Sequence, residues 1–253
     1  MKKIIFILYF LFFLTACTNI ETNETVSAEK DTAAAALAEA KSNHLGTKWG
    51  DEIESKVTSV NLQRTTNSPI DMNTIRYRAN KPAASKNINN ISLAAGRISL
   101  TVQGDYGNFA LYRLNGNYFL QGRDNEAYSL HYQNNSSQTF EIVASVDGIN
   151  VLNGQSASKY DSGYVLKPYS SLTIAGFRKD ANSVASFIFT SKKADTYAAH
   201  NKNANVQNTG VIGTAIYELK QAKNESSPHF PKTANPFPND AYEEQGKFAP
   251  LPE

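Results

Sequence analysis

Cysteine occurs once in the 253 residues, at Cys17. A disulfide framework, a cysteine-built zinc site and an iron–sulfur cluster are thereby excluded within one chain. Excess charge is scarce as well: 25 Lys+Arg face 23 Asp+Glu, and the two sides become equal once Lys2 and Lys3 leave with the leader described below. A neutral surface argues against a nucleic-acid binder and against electrostatic docking on anionic lipid. Histidine is limited to His44, His131, His200 and His229, and tryptophan to Trp49. Proline is nearly missing from the middle of the chain, where Pro168 is the only one between Ile91 and Leu219, although that stretch holds 11 of the 14 glycines.

The one long apolar run, Ile4 to Leu14, follows Lys2-Lys3 and ends in Leu14-Thr15-Ala16-Cys17. It is shorter than the roughly 20 residues a spanning helix needs, so a positive start, a short apolar stretch and small residues before the cut read as an export signal over 1–16. Leu14-Thr15-Ala16-Cys17 resembles the lipobox of bacterial lipoproteins, in which the cysteine thiol is diacylated and the signal is cleaved just before that cysteine, leaving its amine as the new N-terminus. The resemblance implies a lipid anchor on Cys17, with two or three acyl chains holding the protein to a bilayer. Thr18 stands where many inner-membrane lipoproteins of Gram-negative bacteria carry Asp, which implies the periplasmic face of the outer membrane; a Gram-positive host would place the anchor on the outer face of its cell membrane.

Residues 17–43 read as a polar tether followed by a short helix, because Ala33 to Lys41 is rich in alanine and Asp31 or Thr32 can cap its start. Residues 44–90 hold Trp49, two strand-like runs (Lys56–Leu62 and Ile70–Arg78) and a polar stretch from Asn80 to Asn90; with too few apolar residues for a core of its own, this part is expected to be a small β element and linker, the two runs either pairing by themselves or packing against the main body. From 91 to 219, short runs rich in β-branched and aromatic residues recur at nearly even spacing. They predict an antiparallel β-sandwich or partly open barrel. Asn115-Gly116 and Asp147-Gly148 mark tight reversals, since both tolerate positive φ. Phe140, Ile142, Ala144 and Val146 alternate with Glu141 and Ser145, and Tyr128, Leu130 and Tyr132 with Ser129 and His131, so each sheet is expected to bury one face. Residues 220–253 contain six of the nine prolines and read as a disordered, proline-rich tail, either solvated or able to dock in an aromatic groove.

Chemistry is hard to find. Hydrolysis needs a nucleophile, a base and an oxyanion site held together. His44 and His229 lie in predicted linker and tail, His131 on the polar face of a strand and His200 in a predicted loop, while Gly154-Gln155-Ser156 lacks the second glycine of a nucleophile elbow. Gly210-Val211-Ile212-Gly213 fits neither the dinucleotide nor the phosphate-loop pattern. Neither a cofactor nor a metal is expected from the motifs. The clusters Lys159-Tyr160-Asp161-Ser162-Gly163-Tyr164, Lys167-Pro168-Tyr169 and Phe177-Arg178-Lys179-Asp180 set rings beside charges, which suits an amphipathic contact surface. Tyr160, Asp161, Tyr164, Tyr169, Phe177, Arg178 and Lys179 are therefore the candidate partner-binding residues.

The stretch from Phe140 to Tyr217 resembles a domain of uncharacterised exported proteins of proteobacteria. The likeness is carried by Val146–Val151, Ser162–Leu166, Ile174–Lys179, Val184–Phe187 and Gly210–Gly213, with Phe177 where related domains have tryptophan. It implies a β-sandwich and an envelope location, and no reaction. The expected function is a non-enzymatic envelope lipoprotein that binds or assembles with a protein partner; the alternatives are a glycan-binding or cell-wall-binding module and, behind these, a hydrolase using His131 or His200.

Overall fold

The computed structural model describes residues 43–220. The export signal expected over 1–16, Cys17, the helix expected over Ala33–Lys41 and the proline-rich stretch beyond 220 lie outside the described residues. In chain order the strands are β1 (Gly46–Glu54), β2 (Asp71–Arg78), β3 (Lys86–Ile88), β4 (Ile91–Leu93), β5 (Ile98–Gly104), β6 (Gly107–Asn108), β7 (Leu111–Leu114) and β8 (Asn117–Gln121). They continue with β9 (Ala127–Asn134), β10 (Thr139–Val146), β11 (Ile149–Asn150), β12 (Tyr164–Leu166), β13 (Ser171–Ile174), β14 (Gly176–Arg178), β15 (Ser183–Thr190) and β16 (Val211–Leu219). A single helical turn, α1 (Tyr197–His200), sits before β16.

Among the described residues the strands form two facing sheets and no closed barrel, and each sheet buries one face, as the alternation of apolar and polar residues anticipates. The first sheet runs β1-β15-β9-β5-β4, with β13 and β14 alongside β9 and β15; the second runs β11-β10-β16-β2-β8-β7-β3, with β12 beside β10. Tyr128, Leu130 and Tyr132 from β9 and Phe140, Ile142 and Val146 from β10 are buried between them. Each inward side chain removes apolar surface from water, the main stabilising term of such a layered core. Asn115-Gly116 and Asp147-Gly148 both adopt positive φ and close the β7–β8 and β10–β11 hairpins.

Of the two placements open to residues 44–90, they pack against the main body: β2 lies between β16 and β8, and β1 pairs along β15, while Lys56–Leu62 forms no strand. Ile75, Tyr77 and Leu45 enter the common core because a stretch with so few apolar residues can bury them only against a larger body. The polar stretch 80–90 contains β3, paired with β7. The sheet is also not wholly antiparallel, since β2 and β8 run parallel; the chain visits the first sheet through β4, β5 and β6 before returning beside β2, which permits that direction.

Candidate functional site: an aromatic cleft at the edge of the first sheet

β1 is an edge strand, and its register on β15 slips by a bulge between Trp49 and Glu52. Trp49 pairs with Phe187 and so points to the inner side of the sheet, at the open margin of the sandwich. There its indole stacks nearly parallel to Phe177 (6°, centroids 6.1 Å apart) and meets Tyr197 at 52° and 4.6 Å. Phe177 also lies 4.6 Å from Tyr197 and edge-on to Phe187 at 5.0 Å, joining the surface rings to the core. Offset and tilted contacts of this kind satisfy the ring quadrupoles and hold each ring in place. Despite these neighbours Trp49 remains 42% exposed.

Tyr197 is positioned by Thr196, which is fully buried and whose Oγ1 accepts the Ala199 N–H at 3.3 Å as the cap of α1. Thr196 packs on Gly46 of β1, where any Cβ would collide with its methyl group. The cleft between β1 and α1 has a volume of about 450 Å³ and is lined by Lys48, Trp49, Asp195, Tyr197 and His200. Lys48 pairs with Ile188 and so points to the outer side of the sheet, where its Nζ donates to Asn125 Oδ1 at 2.7 Å. Burial raises the Tyr197 hydroxyl above its ordinary range, so it stays protonated as a donor.

No family model, curated protein or solved structure matches the chain.

The residues singled out from the sequence do not assemble into one surface. Phe177 is only 1% exposed and serves as backing for Trp49. Arg178 is spent on the fold: its guanidinium donates to the Ser55 carbonyl and to Ser55 Oγ (3.0 Å), and its Nε to the Tyr164 hydroxyl at 3.2 Å. Asp161 accepts from Asn150 Nδ2 (2.8 Å) and from the Ser158 N–H (2.9 Å), closing its own loop. Lys179 pairs with Glu52, whose carboxyl this contact holds below the usual range. Tyr160 and Tyr169, 61% and 70% exposed, project from two separate loops. Aromatic-plus-charge clusters in sequence therefore mark strand ends here, where charged groups satisfy turn backbone.

The two histidines also part company. His131 shares a hydrogen bond with its cross-strand neighbour Thr173 (Nδ1 to Oγ1, 3.1 Å) on the outer face of β9. His200, expected in a loop, ends α1 and lines the cleft. Among the described residues it makes no hydrogen bond to a hydroxyl nucleophile, and no group of three His, Cys, Asp or Glu is placed to hold a metal ion. Among the described residues no helix is long and apolar enough to cross a membrane. What the sequence reading missed is the set Lys48, Asp195 and Tyr197 around Trp49. The available signal was the single tryptophan itself, in a run where apolar neighbours were too few to bury it.

Proposed function

We propose that the chain is an envelope lipoprotein, anchored through Cys17 and facing the periplasm from the outer membrane, whose sandwich is a non-enzymatic binding module with the Trp49 cleft as its ligand seat. The observation that carries this reading is the exposed indole of Trp49, immobilised by Phe177 and Tyr197 and left open on a concave margin. A rigid aromatic group offers much contact area at little entropy cost, which is what a binding anchor requires. The lipobox residues support the anchor, and Thr18 supports the outer-membrane destination.

The test is gentle extraction of the tagged full chain from its own cells, comparing wild type with Cys17→Ala and Trp49→Ala. On this reading Cys17→Ala leaves the membrane fraction, whereas Trp49→Ala stays there but no longer retains the envelope component that copurifies with wild type. Membrane retention of Cys17→Ala would remove the anchor, and unchanged retention by Trp49→Ala would remove the cleft.

A further inference from the structure

We infer that the ligand of the Trp49 cleft is a saccharide, a neutral or N-acetylated glycan segment of the envelope; this rests on the binding-module reading above. A pyranose has one face of C–H groups, which lies well on an aromatic ring, and a rim of hydroxyls that each donate and accept. The cleft repeats that division. Its floor is two rings set at 52°, Trp49 and Tyr197, and beside them its lining holds Asp195, whose carboxylate only accepts, and His200, whose imidazole can do both. A largely apolar floor with a few convergent polar groups is the usual build of a small-ligand site, and about 450 Å³ falls in the ordinary size range for one.

The same lining argues against the other ligands that aromatic rings attract. A quaternary ammonium is best held by a cage of rings closed around it, whereas this cleft offers two rings and an open margin. An acyl chain would desolvate Asp195 without replacing its water hydrogen bonds. A saccharide hydroxyl can donate to Asp195 and exchange a hydrogen bond with His200.

Trp49 is the single indole of the chain, so its emission reports this cleft alone. The full chain is titrated with N-acetylglucosamine oligomers and with glucose oligomers, and with adenosine monophosphate and tetramethylammonium as comparators. Saturable change of Trp49 emission by one saccharide series is expected, with Asp195→Asn and His200→Gln each weakening it about tenfold or more while leaving thermal unfolding unchanged. A response to a comparator together with silence towards every saccharide overturns the ligand class. Silence towards all the probes overturns it too. If Trp49→Ala nevertheless abolishes retention of envelope material by the anchored chain, the binding-module reading stands without a saccharide; if the variant retains it as wild type does, both fall.

Discussion

The Tyr77 hydroxyl donates to the Asp147 carboxylate across 2.5 Å, while the other carboxylate oxygen accepts the Thr47 N–H at 2.8 Å. Thr47 Oγ1 in turn lies 2.7 Å from the Tyr77 hydroxyl and 2.6 Å from that of Tyr128. Thr47 and Tyr128 belong to the first sheet, Tyr77 and the Asp147 turn to the second, so one buried polar knot joins the layers. It lies one residue from Lys48 and two from Trp49, and ties the base of the cleft to the core. Burial raises both tyrosine hydroxyls well above their ordinary range and keeps them neutral.

Burial also pushes the Asp147 carboxyl up to about 6, against hydrogen bonds from Tyr77, Thr47 and Gly210 that hold it down. The folded state thus prefers the protonated acid more than the unfolded chain does. Its contribution is fully present below about pH 4 and is lost as pH rises through about 6, a difference on the order of 3 kcal/mol. Urea unfolding of wild type and Asp147→Asn across that window should show this fall in wild type and its disappearance in the variant. Parallel pH profiles would refute it. The comparison cancels His44, whose lowered value, caused first by burial and then by the Lys193 charge, acts in the opposite direction in both proteins.

Tyr132 and Thr214 form a second link between the sheets, with hydroxyls 2.8 Å apart and both residues buried. Tyr132→Phe leaves the Thr214 hydroxyl without this partner and should cost about 1 to 2 kcal/mol. Thr214→Val in that background should cost little more, because the stranded hydroxyl is then gone. A double-mutant cycle by denaturant midpoint measures the coupling, and strictly additive losses would show that the bond contributes nothing.

Arg64 covers the outer face of the second sheet. Its guanidinium lies 3.6 Å from the centre of the buried Tyr217 ring and its Nε is 2.7 Å from Glu141, which also accepts the Gly163 N–H at 2.7 Å. Arg64→Ala uncovers the ring and leaves Glu141 short of a partner, for a loss of about 1 to 3 kcal/mol. Arg64→Lys keeps the charge but not the flat stacking group and should recover only part of it. Full recovery by lysine in thermal unfolding would mean that charge alone matters.

Gly46 carries no side chain because Thr196 occupies the space where a Cβ would stand. Gly46→Ala should displace α1 and cost about 1 to 3 kcal/mol through overpacking. Since α1 carries Tyr197, the same change should shift Trp49 emission and weaken whatever binds the cleft. An unshifted emission spectrum would show that β1 and α1 adjust independently.

Much of the architecture was legible because period-two alternation follows from strand geometry alone. Phe140, Ile142 and Val146 had to share a face, and Asn115-Gly116 had to turn, whatever lay across from them. The strand pairs themselves were not legible. Nothing local in Asp71–Arg78 announces that β2 will lie between β16 and β8, since pairing is decided by which exposed edges and apolar faces the rest of the chain offers. Asp147 illustrates the same limit at the level of one residue. Its turn was readable from Asp147-Gly148, but its burial depends on Thr47, Tyr77 and Gly210 arriving from far along the chain.

By itself, then, the sequence determined the strand periodicity, the tight turns, the absence of an intrachain disulfide and the order of residues Lys2 to Thr18 from which export and an anchor are proposed. These are local properties, set by side-chain type and spacing. Tertiary structure alone decided that Phe177 and Arg178 belong to the interior and the loop scaffold, and that Lys48, Trp49, Asp195, Tyr197 and His200 share one cleft. Residues 48 and 197 are brought together only because β1 closes the edge of β15 and Gly46 lets Thr196 settle against it. That juxtaposition is a property of packing across the sheet margin, which no stretch of sequence carries within itself.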